Sequence, residues 1–273
     1  MKLYLSVDME GISGIVDDTF VDSSKRNYYR GQELMTQETN HVIEAALSSR
    51  VEDVIVNDSH SKMNNLLVEK LHDEAKLISG DVKPFSMMEG LDHTYDGAGF
   101  IGYHARASLK GIMSHSMIHA VKNFYIDDTV VGELGMNAFV AGYYGVPVLF
   151  VAGDDRATAE AETLIPSVTT ITVKETISRS SGLVPSPRKT GQLLREQTSS
   201  AIENRHRVDP LVPPKKPVFR IEFTNYGQAE WASIMPGAEI EKGTVVKFQA
   251  KNMLEAYQAM LVMTELASRT TFS

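Results

Sequence analysis

Four short apolar runs in this chain each break off at residues able to hold a metal ion, and that pattern limits the fold more than any other feature. Lys2-Leu3-Tyr4-Leu5-Ser6-Val7 is followed by Asp8-Met9-Glu10-Gly11. Val54-Ile55-Val56 runs into Asn57-Asp58-Ser59-His60. Gly99-Phe100-Ile101-Gly102-Tyr103 ends on His104, and Val130-Val131 leads to Gly132-Glu133-Leu134-Gly135. Apolar runs alternating with amphipathic segments describe βα units around a mainly parallel sheet. Such a sheet gathers the carboxyl ends of its strands along one crevice, where ligands bind. Residues far apart in sequence then meet: two imidazoles and at least two carboxylates. No thiol joins them, because the chain has no cysteine.

The expected fold class is therefore α/β, a mainly parallel central sheet flanked by helices, with a smaller C-terminal α+β region. Periodicity predicts helices over 31–49, 66–72, 137–143, 157–164 and 189–204. It predicts strands over 51–56, 76–79, 98–102, 146–152 and 169–173. The Ser- and Pro-rich stretch 179–188 reads as a loop. Pro210, Pro213, Pro214 and Pro217 mark an extended connector into strands at 218–223 and 245–248. Asn252, with Glu255 three residues on, caps a last helix that presents Leu254, Tyr257, Met260, Leu261 and Met263 on one face. This order suggests a metal-binding catalytic domain over 1–165. A smaller region over 166–273 would pack on it and contribute to oligomer contacts.

The formal net charge of −8 argues against a nucleic-acid or anionic-membrane partner, since both need clustered Lys and Arg. No run approaches the roughly 18 apolar residues of a membrane span. The N-terminus lacks a signal-peptide pattern, so a cytoplasmic protein is expected. Asn57-Asp58-Ser59 matches a glycosylation sequon only formally.

Asp8 and Glu10 form the strongest local pair. In an extended run they share a face about 6.7 Å apart, and the ions of a two-metal hydrolytic site sit roughly 3.5–4 Å apart. The plainer alternative is that Asp8 caps a following turn. A lone histidine is ordinarily a surface or satisfied core residue, but His60 and His104 both stand at strand ends. Asp58 could orient an imidazole from behind. Glu133 lies in a segment too apolar to tolerate an unpaired carboxylate, so a cation is expected beside it. His115, in Met113-Ser114-His115-Ser116-Met117, can move a proton close to that cluster. His119 reads as structural, and His41, His72, His93 and His206 are assigned nothing. Capping of the helix from Ala157 accounts for Asp154 and Asp155. Gly97-Ala98-Gly99-Phe100-Ile101-Gly102 spells the dinucleotide fingerprint, but its glycines lie inside a strand rather than at the opening of a helix.

Ser6-Val7-Asp8-Met9-Glu10-Gly11, Asn57-Asp58-Ser59-His60, Gly102-Tyr103-His104-Ala105, Ser114-His115-Ser116 and Gly132-Glu133-Leu134-Gly135 together resemble the bacterial D-aminopeptidases of the dipeptide-transport operon, a family of self-compartmentalising zinc peptidases. The likeness runs along essentially the whole chain and includes Asn225-Tyr226-Gly227-Gln228-Ala229-Glu230-Trp231. The resemblance implies two zinc ions per subunit, with Asp8 bridging and Glu10, His60, His104 and Glu133 completing the ligand set. It implies that His115 is the nucleophile or catalytic base, that the substrate is a short peptide with an N-terminal D-amino acid, and that subunits form a ring-shaped decamer. Two other classes use the same residues differently. A two-metal phosphohydrolase would need a cationic clamp, for which only Arg106 and Lys62 are near. A non-catalytic ring protein would hold the metal for stability alone.

Overall fold

A computed structural model describes residues 1–270. The elements run β1 (Lys2–Val7), α1 (Tyr28–Ser48), β2 (Asp53–Asp58), β3 (Ala75–Ile78), β4 (Gly97–Tyr103), β5 (Val121–Ile126), β6 (Thr129–Val131), α2 (Glu133–Tyr143), β7 (Val148–Asp154), α3 (Asp155–Leu164), β8 (Thr169–Ser178), β9 (Ser181–Leu183), α4 (Pro187–Glu203), β10 (Val218–Phe223), α5 (Tyr226–Ala232), β11 (Ala238–Lys242), β12 (Val245–Gln249) and α6 (Met253–Ala267). No described helix is long and apolar enough to cross a membrane.

Seven strands form one sheet in the order β3-β2-β1-β4-β7-β8-β9. All its pairs are parallel except the β8–β9 hairpin. Every residue of β4 and β7 is buried, as in parallel strands covered on both faces. Helices α1 and α4 pack on each other and on the sheet; α2 and α3 form a second group that also meets it. The chain runs from β1 outward through β2 and β3, then returns to β4 and continues through β7 and β8. The order therefore reverses between β1 and β4, where an open α/β sheet places its ligand crevice. Asp8 leaves one side of that switch and His104 the other.

The Gly-rich run in β4 serves sheet packing. A Cβ on Gly99 would lie 2.1 Å from the Phe150 ring, and one on Gly97 would lie 2.5 Å from the Leu149 side chain. Gly102 has φ +73°, and its Cβ would meet Asp8 O at 2.0 Å. Close backbone approach between β4 and the turn after β1 needs glycine there.

The fourth apolar run departs from expectation. Val130 and Val131 belong to β6 of a separate antiparallel sheet, ordered β11-β12-β10-β5-β6. Glu133 therefore reaches the crevice as the first residue of α2, not from the end of a parallel strand. The sheets also do not divide at residue 165. Strands β5 and β6 precede that position yet pair with β10, whereas β8 and β9 follow it and complete the parallel sheet. Helix α6 spans the two parts by contacting α2, β10 and β12.

Smaller differences have local causes. The predicted helix at 66–72 is one 3-10 turn, Val68–Lys70. Helix α2 begins four residues before the predicted 137, because Gly132 supplies an extended entry. The 179–188 loop contains β9, paired to β8. The last helix starts as read, with Asn252 Oδ1 accepting from the Glu255 N–H at 3.0 Å.

Candidate active site

Asp8, Glu10, His60, His104 and Glu133 converge, each at most 8% exposed. The Asp8 N–H still donates to Ile101 O at 2.8 Å, continuing the β1–β4 ladder by one residue. A turn then begins, with Ile12 N–H donating to Met9 O, so Glu10 faces Asp8 across a bend and not along an extended run. The two oxygens of Asp8 separate. Oδ1 lies 3.4 Å from His60 Nδ1, and Oδ2 lies 3.5 Å from His104 Nε2. Each imidazole has a second carboxylate: Glu10 Oε2 is 2.9 Å from His60 Nδ1, and Glu133 Oε2 is 3.5 Å from His104 Nε2. Two imidazole–carboxylate half-sites thus share Asp8.

Backbone carbonyls fix the tautomers. His60 Nε2 lies 2.9 Å from Val21 O, His104 Nδ1 lies 3.0 Å from Ala105 O, and His115 Nδ1 lies 2.8 Å from Met113 O. A carbonyl oxygen only accepts, so each of these nitrogens carries the proton. The opposite nitrogen of every neutral ring then points a lone pair at carboxylate oxygens. Lone pairs facing lone pairs at these distances require a proton or a metal ion between them. The buried atoms Glu10 Oε2 and His104 Nε2 indeed have no hydrogen-bond partner.

The charges show the same imbalance. Burial, followed by the charge of Glu10, pushes the Asp8 carboxyl up to about 7. Burial also opposes charge on Glu10, yet the imidazoles of His60, His115 and His104 hold its carboxyl well below the usual range. Burial opposes charge on His60 and His104, but the surrounding carboxylates raise both rings. Two imidazole nitrogens and three carboxylates in a water-poor crevice suit divalent zinc.

His115 stacks on His104, with ring centroids 4.4 Å apart. Its Nε2 faces Glu10 Oε1 at 3.9 Å and Glu133 Oε1 at 4.0 Å. Burial and the neighbouring His104 charge lower its pKa. A cavity of about 400 Å³ opens over Asp8, Glu10, His60, His115 and Glu133, walled by Met87 and Ile118 among others. His119, expected to be structural, is exposed and lines this cavity, its ring 5.2 Å from that of His115. Neither Arg106 nor Lys62 lines it. Arg106 donates to Ala107 O and Asn123 Oδ1, and Lys62 pairs with Asp81 at 3.1 Å.

Asp58 does not orient an imidazole. It accepts from the N–H groups of Asn65 and Leu66 at 2.5 and 2.7 Å, closing the loop that carries His60. Asn57 is buried, its side-chain oxygen accepting from Lys83 Nζ at 2.8 Å. Asp154 caps α3 as expected and also accepts from the N–H of Ala105, beside His104. Sequence reasoning missed three supports. Val21 O has no sequence signal, because any residue supplies a carbonyl. Glu160 accepts from the Gly132 N–H at 2.9 Å, at the entry to α2. Lys174 is 1% exposed in β8, and its ammonium donates to the carbonyls of Glu10, Ile12 and Ile15. Burial lowers its pKa to about 8.

Comparison with known proteins shows what this arrangement belongs to. The family model described as D-aminopeptidase matches residues 1–262. The chain belongs to the D-aminopeptidase family. Within that family, a D-aminopeptidase from Bacillus subtilis (strain 168) is 68% identical over all 273 residues of both proteins. Among solved structures, the Zn-dependent D-aminopeptidase DppA from Bacillus subtilis, a self-compartmentalizing protease, superposes with a TM-score of 0.99 over the whole of both chains at 68% identity. Family membership makes this chain an aminopeptidase and gives the phosphohydrolase alternative no support.

Proposed function

We propose that this D-aminopeptidase family member releases the N-terminal D-amino acid from short peptides, such as D-alanyl peptides, at a centre of two zinc ions. The two half-sites that share Asp8 carry this reading. In it, Asp8 would be shared between the ions, His60 and Glu10 would hold one, and His104 and Glu133 would hold the other. The zinc-dependent relative supports the choice of metal. When bound, the ions supply Lewis-acid polarisation of a carbonyl and acidify water at neutral pH.

The chain's own residues do the rest. His115 keeps its proton on Nδ1 through Met113 O, which leaves Nε2 as the base facing the cavity. Its lowered pKa keeps the ring neutral near pH 7, so it can take a proton during attack and return it to the leaving amine. The stacked His104 and the Met113 carbonyl hold the ring in place for that proton transfer.

We also place the protein in the cytoplasm as a ring of ten subunits. The relative's self-compartmentalizing character supports assembly. Exposed Trp231 and Ile234 on and after α5, with Val262 on α6, offer apolar surface for subunit contacts in the 166–273 region. The deciding experiment pairs zinc analysis with D- and L-alanyl peptide assays of the wild type and H115A. We expect about two zinc ions per chain, preference for the D-peptide, and a roughly 10²–10⁴-fold loss of turnover in H115A with zinc retained. A fully active H115A variant would remove the assigned role.

A further inference from the structure

The underside of the cage holds a cation that the ligand set does not use. Lys174 rises from β8 into the core below the turn that presents Glu10. Its ammonium donates to the carbonyl oxygens of Glu10, Ile12 and Ile15, the last two at 3.1 and 2.5 Å. Three acceptors engage all three N–H bonds of a charged lysine. Among the described residues, no backbone N–H donates to the carbonyl of Glu10 or Ile15. No carboxylate oxygen pairs with Lys174 within 4 Å either, since it forms no salt bridge. A buried ammonium hydrogen-bonded only to carbonyls, with the carboxylates of Asp154 and Glu38 acting on it from beyond 4 Å, is a poor way to gain stability, because an apolar side chain would fill the same volume without desolvation. Its partners point to another use. They are the carbonyl of a cage residue and two from the next five residues of the same turn.

We propose that Lys174 is a positioning residue for the metal cage, gathering the 10–15 turn so that the Glu10 carboxylate stays aimed at His60 Nδ1. This rests on the zinc reading given above. From the other side, Gly11 N–H donates to Gly102 O at 2.7 Å, and a Cβ at Gly11 would meet Tyr103 O at 2.0 Å. The turn is thus clamped between β4 and β8, with Glu38 of α1 also accepting from the Ser13 N–H at 2.9 Å, and of these two side chains Lys174 is the one that grips Glu10 itself.

The sign of the effect separates positioning from bulk electrostatics. A positive charge beneath two bound cations repels them. If Lys174 acted by charge alone, K174M would bind zinc more tightly. A positioning role demands the opposite, because supports one step behind metal ligands typically contribute 10- to 100-fold in affinity.

The test strips metal from the full-length protein and titrates zinc back against a competing chelator in wild type, K174M, K174Q and K174R. We expect K174M to lose roughly 10- to 100-fold in zinc affinity. Turnover lost at limiting zinc should return at excess zinc. K174R, which keeps both charge and donors, should recover part of the affinity. Unchanged or tighter zinc binding in a folded K174M overturns the assignment. If K174M does not fold, K174Q is read in its place. Loss of fold in both also overturns it, since Lys174 would then be holding the scaffold and not aiming a ligand. A wild type that binds no zinc would instead sink the underlying zinc reading.

Discussion

Glu38 sits on α1 behind the site, buried, with Oε1 accepting from the Ser13 N–H at 2.9 Å and Oε2 unpartnered. Burial raises its pKa to about 7, against an ordinary value of 4.5. The folded protein therefore holds this proton more tightly than the unfolded chain does. Stability from this group is fully present below about 4.5 and is lost as pH rises through about 7. E38Q keeps an acceptor for Ser13 but cannot titrate. Urea unfolding between pH 4.5 and 7 should show wild type losing stability relative to E38Q as pH rises. The difference should change by at most about 1.4 kcal/mol per pH unit, and parallel curves would refute the shift. Individual side chains were legible in the sequence only where chemistry and position coincided. Asp8 and His104 stand immediately after apolar runs, so their polarity marks a strand end. Lys174 sits in Thr172-Val173-Lys174-Glu175, where alternation alone does not separate a buried lysine from a solvated one. Its partners lie about 160 residues away in the chain, and no local pattern encodes that distance.

Among the elements, β4 determines how closely the two halves of the parallel sheet approach. Its glycines leave room for Phe150 and Leu149 of β7 on one flank and for the turn after β1 on the other. G99A would place a methyl 2.1 Å from the Phe150 ring, at the centre of a strand with no exposed residue. We expect a loss of about 1–3 kcal/mol from overpacking, read as a lower urea midpoint at unchanged m-value. A variant as stable as wild type would mean that the Phe150 ring moves aside freely. Elements with strong periodicity, such as β1, β7 and α6, could be read directly from sequence. The antiparallel sheet was harder. Strand β5 has charged and polar residues among its apolar ones, and α5 spans only Tyr226–Ala232, too short for a helical period to repeat twice. Glu133 joins the cluster from α2, an element other than the one its preceding apolar run suggests. The Val130-Val131 run looks like a core strand, whereas pairing with β5 assigns it to the other sheet.

At the scale of the whole molecule, the fold does not depend on the cage for its core. Packed apolar residues such as Leu5, Phe100, Phe150 and Met260 run from β1 through β7 to α6 at no more than 1% exposure. Metal should therefore shift stability by mass action without being needed for folding. At about 100 times its Kd, a bound ion adds roughly 2.7 kcal/mol. We expect chelation to abolish peptide hydrolysis and lower the melting temperature while leaving the far-ultraviolet spectrum unchanged at 25 °C. Light scattering in the same samples should report close to ten subunits of 30.2 kDa with or without metal. Unfolding on chelation would instead show that the metal is needed for the fold itself. The parallel sheet could be anticipated from the order of apolar runs. The way α6 ties α2 to β10 and β12 could not, because the contact of α6 with α2 joins elements more than 100 residues apart.

The cage draws its side chains from residues 8 to 133, and the lysine beneath it comes from residue 174. If those side chains are the ligands and Lys174 aims one of them, a ribosome making this chain must release more than half of it before the seat is complete. Peptide hydrolysis would then be withheld from the growing chain until that length has emerged.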